Sequence, residues 1–142
     1  MSRYVVDVGA ALHLAAAEMA PRAEDQLLAP TLLRSEVLSS LHAAVHRGEL
    51  TSEVGRARLA RFGRLPIRLL GDGVLRRRAW EVADRLGWPG TFEAEYVALT
   101  LLQAEALVTT DDTLAERVQG LVEVLPVGAL LTTGPGTAAP GR

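Results

Sequence analysis

The sequence predicts an α/β fold in which a central, mostly parallel sheet carries helices on both faces. Short apolar runs with β-branched residues alternate along the chain with longer segments whose apolar residues recur at helical spacing. This alternation is typical of parallel strands joined by helical crossovers. The chain has 142 residues, of which 49% are hydrophobic and 23% charged, so one compact domain can bury a core. We expect that domain over residues 1–131, followed by a flexible, Gly/Pro-rich tail over 132–142.

Strands and helices already alternate in the first half of the chain. The predicted elements there are a strand over 4–8, a helix over 10–19, a strand over 26–29, and helices over 30–47 and 51–64. Pro21 ends the first helix because proline cannot continue the hydrogen-bond ladder, and Gly48 supplies the stop signal of the second. Thr51 is suited to cap the third helix, because its hydroxyl can accept from a free backbone N–H.

The second half continues the alternation. The predicted elements are a strand over 66–70, helices over 74–86 and 91–105, a strand over 107–110, a helix over 113–118 and a strand over 122–127. Asp72 lies in the turn before the first of these helices and is expected to cap it. Gly87 and Pro89 end that helix. The next helix is apolar on nearly every side, which predicts a buried position.

The composition excludes several classes of protein. The chain lacks cysteine, so it has neither disulfides nor thiolate metal sites, and we expect it in the cytoplasm. No apolar run reaches membrane-spanning length. Asp7, His13 and Glu18 interrupt the apolar start, so we interpret it as folded structure rather than a signal peptide. The net charge of −2 does not indicate a nucleic-acid binder, although all 15 basic residues are arginines, whose planar groups suit phosphate.

Four acids occupy positions from which they can meet. Asp7 ends the first predicted strand and Asp111 follows the fourth, and ligands of parallel sheets collect at the carboxyl ends of strands. Glu36, beside the apolar stripe of its helix, and Glu93, in the first turn of the buried helix, can converge on the same edge. Two carboxylates about 4 Å apart repel by roughly 4 kcal/mol at an effective dielectric near 20, so such a group requires a divalent cation or takes up protons. Oxygen ligands alone favour Mg²⁺ or Mn²⁺ over Zn²⁺.

Four segments carry a resemblance to a known family. They read YVVDVGA, PTLLRSEV, TFEAEYVALT and LVTTDDTLAE, and the resemblance covers residues 3–127. In this order and spacing they resemble the motifs of PIN-domain ribonucleases, especially the VapC-type toxins of bacterial toxin–antitoxin pairs. The resemblance implies a PIN-like three-layer fold. It also implies that the four acids of the family correspond to Asp7, Glu36, Glu93 and Asp111, with Thr109 as a polar companion of the last.

The same resemblance implies a function. The four acids would hold Mg²⁺, with Mn²⁺ as a substitute, in an endoribonuclease that hydrolyses RNA phosphodiester bonds with a metal-activated water. Thr109 would orient a carboxylate or that water. The chain would be the toxin of a type II toxin–antitoxin system. Its partners would be RNA, a small cognate antitoxin protein and a second copy of itself in a homodimer, with no membrane involved.

One residue departs from the family pattern and leaves a second function open. Position 93 is usually aspartate in the family, and the longer side chain of Glu93 could displace the ion, with Glu95 and Asp112 as neighbours able to substitute. The alternative is a catalytically weak PIN-like domain that binds RNA or protein. A phosphoacceptor or phosphatase domain of the same fold class is disfavoured, because its chemistry wants a lysine near the phosphoryl group and the chain has none.

Each acid also has a purely structural interpretation. Asp7 can end a strand and accept hydrogen bonds from the next helix, and Asp111 or Asp112 can serve as an N-cap. Glu36 can be a solvated residue at a helix edge, and Glu93 can complement the dipole of its helix. The functional interpretation therefore depends on the acids meeting in space, since no single one of them requires it.

Histidines, tryptophans and arginines give weaker signals. His42 and His46 have helical i,i+4 spacing but no glutamate of the zinc-protease type between them, so a half-exposed helix face is favoured over a metal site. His13 is expected to pack against the core, and Trp80 and Trp88 to lie in the core or in an interface. Arginines over 76–78 and at positions 56, 58, 61 and 64 can either track an RNA backbone or form solvated faces.

Overall fold

The computed structural model describes residues 2–17 and 20–131, and five strands form its centre. The strands are β1 (Arg3–Val6), β2 (Gln26–Pro30), β3 (Ile67–Leu70), β4 (Ala106–Val108) and β5 (Val124–Leu125). Neighbouring strands are parallel, and their order across the sheet is β3-β2-β1-β4-β5. The predicted central parallel sheet is therefore confirmed. The predicted tail over 132–142 lies outside the described residues.

Within the described residues, six α-helices cover the sheet. They are α1 (Val8–Ala16), α2 (Leu32–His46), α3 (Ser52–Arg64), α4 (Gly73–Leu86), α5 (Phe92–Gln103) and α6 (Asp112–Arg117). The connections from β1 through β2 to β3 run toward one edge, whereas those from β3 to β4 and on to β5 run toward the other. Because parallel crossovers are right-handed, α1, α2 and α3 lie on one face and the other three helices on the opposite face. None of the helices in the two described ranges has the length and apolar character needed to cross a membrane.

The core is centred on β1, the middle strand. Val5 of β1 pairs with Leu28 of β2 and with Leu107 of β4, and all three side chains are buried. On one face α1 packs against α2 and α3, and on the other α5 packs against β1, β2 and β4. A strand buried on both faces needs apolar residues at every position, which explains why these runs do not alternate with polar residues.

The strand order reverses between β1 and β4, because successive strands are added on opposite sides of this pair. The chain leaves β1 toward β2 and leaves β4 toward β5, on opposite sides of this pair. The two connections separate and leave a crevice at the carboxyl ends of β1 and β4, which is where open α/β sheets bind ligands. Asp7 and Thr109 directly follow these two strands.

Local caps set the limits of several helices. Thr51 Oγ1 accepts a 3.1 Å hydrogen bond from Val54 N, and Asp72 Oδ1 accepts one of 2.9 Å from Leu75 N, so both predicted caps are confirmed. Gly87 ends α4 with a φ of 70°, a left-handed conformation that glycine adopts without side-chain strain. These signals depend on residues within one helical turn, and for that reason the sequence reveals them.

Three predicted strands run past the observed ends, namely β4, β5 and also β1, which is predicted over 4–8 and stops at Val6. β4 ends at Val108, two residues earlier than predicted, which places Thr109 in the loop above the strand. The prediction of a strand over 122–127 is correct only for Val124–Leu125. Pro126 follows, and because proline cannot donate to a strand ladder, the chain turns into a 3-10 helix (Val127–Leu130).

One predicted side-chain environment is wrong. His13 is exposed, because the buried face of α1 is formed by Ala10, Ala11, Leu14 and Ala15. Trp80 lies outside the core, with 68% of its surface exposed on α4, so of its two predicted positions only an interface stays open. His42 and His46 are exposed on α2, a solvent-facing position close to the half-exposed helix face predicted for them.

Candidate active site at the switch point

Asp7 is the most buried acid of the candidate site. It is 6% exposed and caps α1, where its Oδ1 accepts a 2.9 Å hydrogen bond from Ala10 N. Its other carboxylate oxygen accepts a hydrogen bond from Thr109 Oγ1. Its backbone N–H donates to the carbonyl of Val108 over 3.2 Å, which ties the residue to the end of β4. The predicted structural role of Asp7 is therefore confirmed, and its hydrogen bonds hold the carboxylate at the carboxyl ends of β1 and β4.

The close approach of the start of α1 to the β4–α6 loop explains the glycine at position 9. A β-carbon on Gly9 would overlap the hydroxyl oxygen of Thr110, so any larger residue would push the β4–α6 loop away from the start of α1. Asp7 and Thr109 belong to these same two segments. Gly9 thus keeps the segments close enough for their hydrogen bond.

Thr109 joins Asp7 to Asp111. Its Oγ1 accepts a 2.9 Å hydrogen bond from Asp111 N while it donates to Asp7. The Asp111 carboxylate caps α6, because Oδ1 accepts from Thr113 N at 3.0 Å and from Leu114 N at 3.1 Å. Asp111 is thus the predicted N-cap of the Asp111–Asp112 pair. The orienting role in catalysis that the resemblance implies for Thr109 stays a prediction.

Glu36 lies at the same end of the sheet, on α2, in the helical layer opposite the one that contains α5. Its Oε1 accepts a 2.5 Å hydrogen bond from the phenol of Tyr96, which lies on α5 and is 3% exposed. One residue separates the end of β2 from α2, so the first turn of α2 lies at the carboxyl edge. Two residues separate the end of α5 from the start of β4, so the last turn of α5 lies at the amino edge and its first turn at the carboxyl edge. Sequence analysis did not identify Tyr96, which lies in the segment TFEAEYVALT, as the hydrogen-bond partner of Glu36.

The carboxylates influence one another electrostatically. Burial raises the pKa of Asp7, and the charge of Asp111 raises it further, against the hydrogen bonds from Thr109 and Ala10. Burial also raises the pKa of Glu36, and the charges of Asp7 and Glu93 add to this effect, against the hydrogen bond from Tyr96. Asp7 thus lies within electrostatic range of Asp111 and Glu36, and Glu36 lies within range of Glu93.

Glu93 lies at the margin of this set. Its side chain is 47% exposed, and its Oε1 is 3.7 Å from Arg117 Nη1, a contact that sequence reasoning did not foresee. Glu95 is less exposed, and its pKa is raised by burial and by the charge of Glu36, while the cation Arg76 lowers it. Both glutamates of α5 thus lie within electrostatic range of Glu36.

The donor set suits a hard divalent ion, although the acids do not form a closed ligand group. All donors are oxygens, and the raised pKa values of Asp7 and Glu36 reflect burial of negative charge that a cation would compensate. Within residues 2–17 and 20–131, no three histidine, aspartate or glutamate side chains lie close enough together to hold a metal ion. Each acid instead has a partner in the protein, namely Thr109, Tyr96, Arg117 or the start of α6. Metal ligation by these residues stays a prediction.

Solved structures share this architecture. The structure of PAE2754 from Pyrobaculum aerophilum superposes with a TM-score of 0.62 at 21% sequence identity, over 90% of this chain and 92% of that one. VapBC-1 from nontypeable Haemophilus influenzae gives 0.56 at 16% identity, over 89% of this chain and 98% of that one. The fold is PIN-like.

A third similar structure contains DNA as well as protein. VapBC2 from Rickettsia felis, bound to a DNA fragment from its promoter, superposes with a TM-score of 0.60 at 11% identity, over 87% of this chain and 98% of that one. No family model and no curated protein matches the sequence. At these identities the likeness establishes the PIN-like fold, and it confirms the resemblance of the sequence to PIN-domain proteins at that level.

Proposed function

We propose that this PIN-like domain is a VapC-type toxin, an Mg²⁺-dependent endoribonuclease that hydrolyses RNA phosphodiester bonds. The observation that carries the proposal is the placement of Asp7. This buried carboxylate lies at the topological switch point, is oriented by Thr109, and is within electrostatic range of Asp111 and Glu36. Carboxylates that repel one another at a ligand-binding edge are costly to keep charged unless a cation compensates them.

The chain contributes ligands and their orientation. Asp7, Glu36, Glu93 and Asp111 would hold Mg²⁺, or Mn²⁺ in its place, and the ion would supply a Lewis acid that lowers the pKa of bound water. Thr109 keeps the Asp7 carboxylate in one orientation by donating to it. Tyr96 does the same for Glu36 from the opposite helical layer.

The proposed partners follow from the same interpretation. VapBC-1 and VapBC2 are solved toxin–antitoxin structures with this fold, which supports a small cognate antitoxin as a partner of this chain. The proposal also includes an RNA substrate, a homodimer and a location in the cytoplasm. If a small protein is encoded next to the gene, co-expression of the two chains followed by co-purification tests the antitoxin directly.

Cleavage of RNA with and without a divalent ion tests the activity. The full chain should cleave total RNA in Mg²⁺ and should stop doing so in EDTA. Asp7→Asn should abolish cleavage while the protein remains folded, because the amide keeps the shape of the side chain but loses the charge. Asp84→Asn, a change at an exposed position of α4, should cleave like the wild type. Wild-type cleavage by Asp7→Asn would reject the site assignment.

One observation favours a second candidate function, a catalytically weak PIN-like domain that binds RNA or protein. Glu93 is ion-paired to Arg117, and no three acids of the described residues gather into a metal-binding group. This candidate predicts no RNA cleavage. A thermal shift with Mn²⁺ but without cleavage, or no shift at all, would favour it over the nuclease.

A further inference from the structure

A cavity outside the crevice shares one residue with the proposed site. It has a volume of about 570 Å³ and lies between the α4–α5 loop and α6. The residues that line it include Trp88, Phe92, Arg117 and Glu93. Glu93, which lines the cavity, is also one of the four predicted site acids and contributes to the raised pKa of Glu36.

The lining combines an exposed aromatic ring with an arginine whose guanidinium contacts a second ring. Phe92 is 66% exposed, although a phenyl ring gains nothing from contact with water. The guanidinium carbon of Arg117 lies 5.2 Å from the centre of the Trp88 ring, a cation–π contact that keeps the planar group at the cavity wall. The ion pair of Arg117 with Glu93 spans 3.7 Å between half-exposed side chains, and such pairs exchange at little cost.

We propose that this cavity binds one unpaired nucleotide of RNA, with its base stacked on Phe92 and a phosphate on Arg117. The inference rests on the proposed function for the identity of the polymer, and it adds a site beside the acidic residues. An aromatic face accepts any base, and the arginine fork matches two phosphate oxygens. A base inside a duplex is stacked and unavailable, so the site selects single-stranded segments.

The position of the cavity gives the site a role in orienting the strand. A phosphate on Arg117 replaces Glu93 as the partner of the guanidinium, which leaves the Glu93 carboxylate to the crevice. The nucleotide on Phe92 would then lie next to the acidic residues, at the edge that the switch point opens. Phe92 and Arg117 are positioning residues in this arrangement.

Binding measured without metal tests the inference separately from cleavage. We would titrate the full chain in EDTA into a fluorescein-labelled, 12-nucleotide single-stranded RNA and record anisotropy. Phe92→Ala should weaken the affinity about 5- to 100-fold, the range seen when one base loses its aromatic partner. Phe92→Tyr keeps the ring and should retain wild-type affinity. Leu102→Ala, at another exposed apolar position of the same helix, is the matched control and should change nothing.

The salt dependence reports on the phosphate contact. Arg117→Gln should weaken binding and lower the slope of log affinity against log salt by about 0.7, the value for one phosphate contact on a single strand. Arg85→Gln removes the same charge from an exposed position of α4 and should leave the slope unchanged. The thermal midpoint of each variant, measured alongside, identifies any that fail to fold, and for those Phe92→Leu replaces Phe92→Ala.

The outcomes separate this inference from the proposed function. The inference is overturned if Phe92→Ala binds the single strand like the wild type, if it weakens a 12-base-pair duplex equally, or if the wild type binds no RNA. It is also overturned if Phe92→Ala alters self-association alone, since the cavity would then bind a second protein chain. Cleavage in Mg²⁺ together with unaltered affinity of Phe92→Ala rejects only this site. Ring-dependent binding without any cleavage rejects only the nuclease.

Discussion

The phenol of Tyr96 donates a 2.5 Å hydrogen bond to Glu36 Oε1, between residues 60 positions apart in the sequence. The two side chains come from helices on opposite faces of the sheet and meet at its carboxyl edge. Burial together with the charges of Glu36, Asp7 and Glu95 strongly raises the pKa of Tyr96, so the phenol stays protonated and remains a donor. This contact holds one of the proposed ligands in place.

Removal of the Tyr96 hydroxyl should destabilise the protein and release Glu36 from its hydrogen bond. Tyr96→Phe deletes the donor of a hydrogen bond to a carboxylate, so the free energy of unfolding at pH 7 should fall by about 1–2 kcal/mol. The loss should be smaller near pH 4, where Glu36 is largely protonated. Urea unfolding at both pH values measures the difference. Tyr4→Phe, which alters a tyrosine of β1, serves as the control, and an equal effect of both changes would contradict the importance of the contact.

Buried acids with raised pKa values predict that the metal-free protein loses stability as the pH rises. The ordinary pKa values of Asp7 and Glu36 are 3.8 and 4.5, and the folded state raises both. Between the unfolded and the folded pKa the folded state binds more protons, so the free energy of unfolding decreases with rising pH through that interval. Thermal unfolding in EDTA from pH 4 to pH 8 should show this decline.

The same experiment on Asp7→Asn isolates the contribution of one group. The amide does not titrate, so the decline above pH 4 should become shallower, and Asp84→Asn should retain the wild-type slope. The exposed Glu49, whose pKa Arg47 lowers by hydrogen bonding and charge, acts in the opposite direction and is unchanged in every variant. Identical pH profiles of the wild type and Asp7→Asn would show that the buried carboxylate carries no penalty.

The two glutamates at the start of α5 should differ in their effect on activity. Glu93→Gln should abolish Mg²⁺-dependent cleavage if Glu93 is a ligand, and it should reduce the thermal shift produced by Mn²⁺. Glu116→Gln removes an exposed carboxylate of α6 and should leave both readouts unchanged. Loss of cleavage in Glu95→Gln, with Glu93→Gln active, would transfer the role to Glu95.

Helix α3 contains two glycines that should respond oppositely to alanine. A β-carbon on Gly55 would lie 2.6 Å from Val45 Cγ2 of α2, so Gly55→Ala should force the helices apart and cost about 1–3 kcal/mol. A β-carbon on Gly63 would meet no described atom within 4 Å, so Gly63→Ala should add up to about 1 kcal/mol through helix propensity. Chemical denaturation of both variants measures the difference. Equal effects would mean that the α2–α3 contact is loose.

The sequence by itself determined the alternating strands and helices, the caps at Thr51 and Asp72, and the placement of Asp7 at the end of β1. Periodicity and caps depend on neighbours along the chain, so they can be predicted from the sequence. The resemblance to PIN-domain proteins also emerged from the sequence, because its four segments keep their order. Element ends were less accurate, as at β4 and β5, because pairing with a neighbouring strand decides where a ladder stops.

Only the tertiary structure decided how the acids are held. The hydrogen bond of Tyr96 to Glu36, the ion pair of Arg117 with Glu93 and the link from Thr109 to Asp7 all join residues from separate elements. No periodicity encodes such contacts, because they follow from the strand order and from the layer in which each helix lies. The strand order places Asp7 beside Thr109 at the switch point, and the helical layers bring Glu36 to Tyr96 and Glu93 to Arg117. The position of each acid in its element can therefore be predicted from the nearby sequence. The residue that contacts each acid is decided only when the elements pack together.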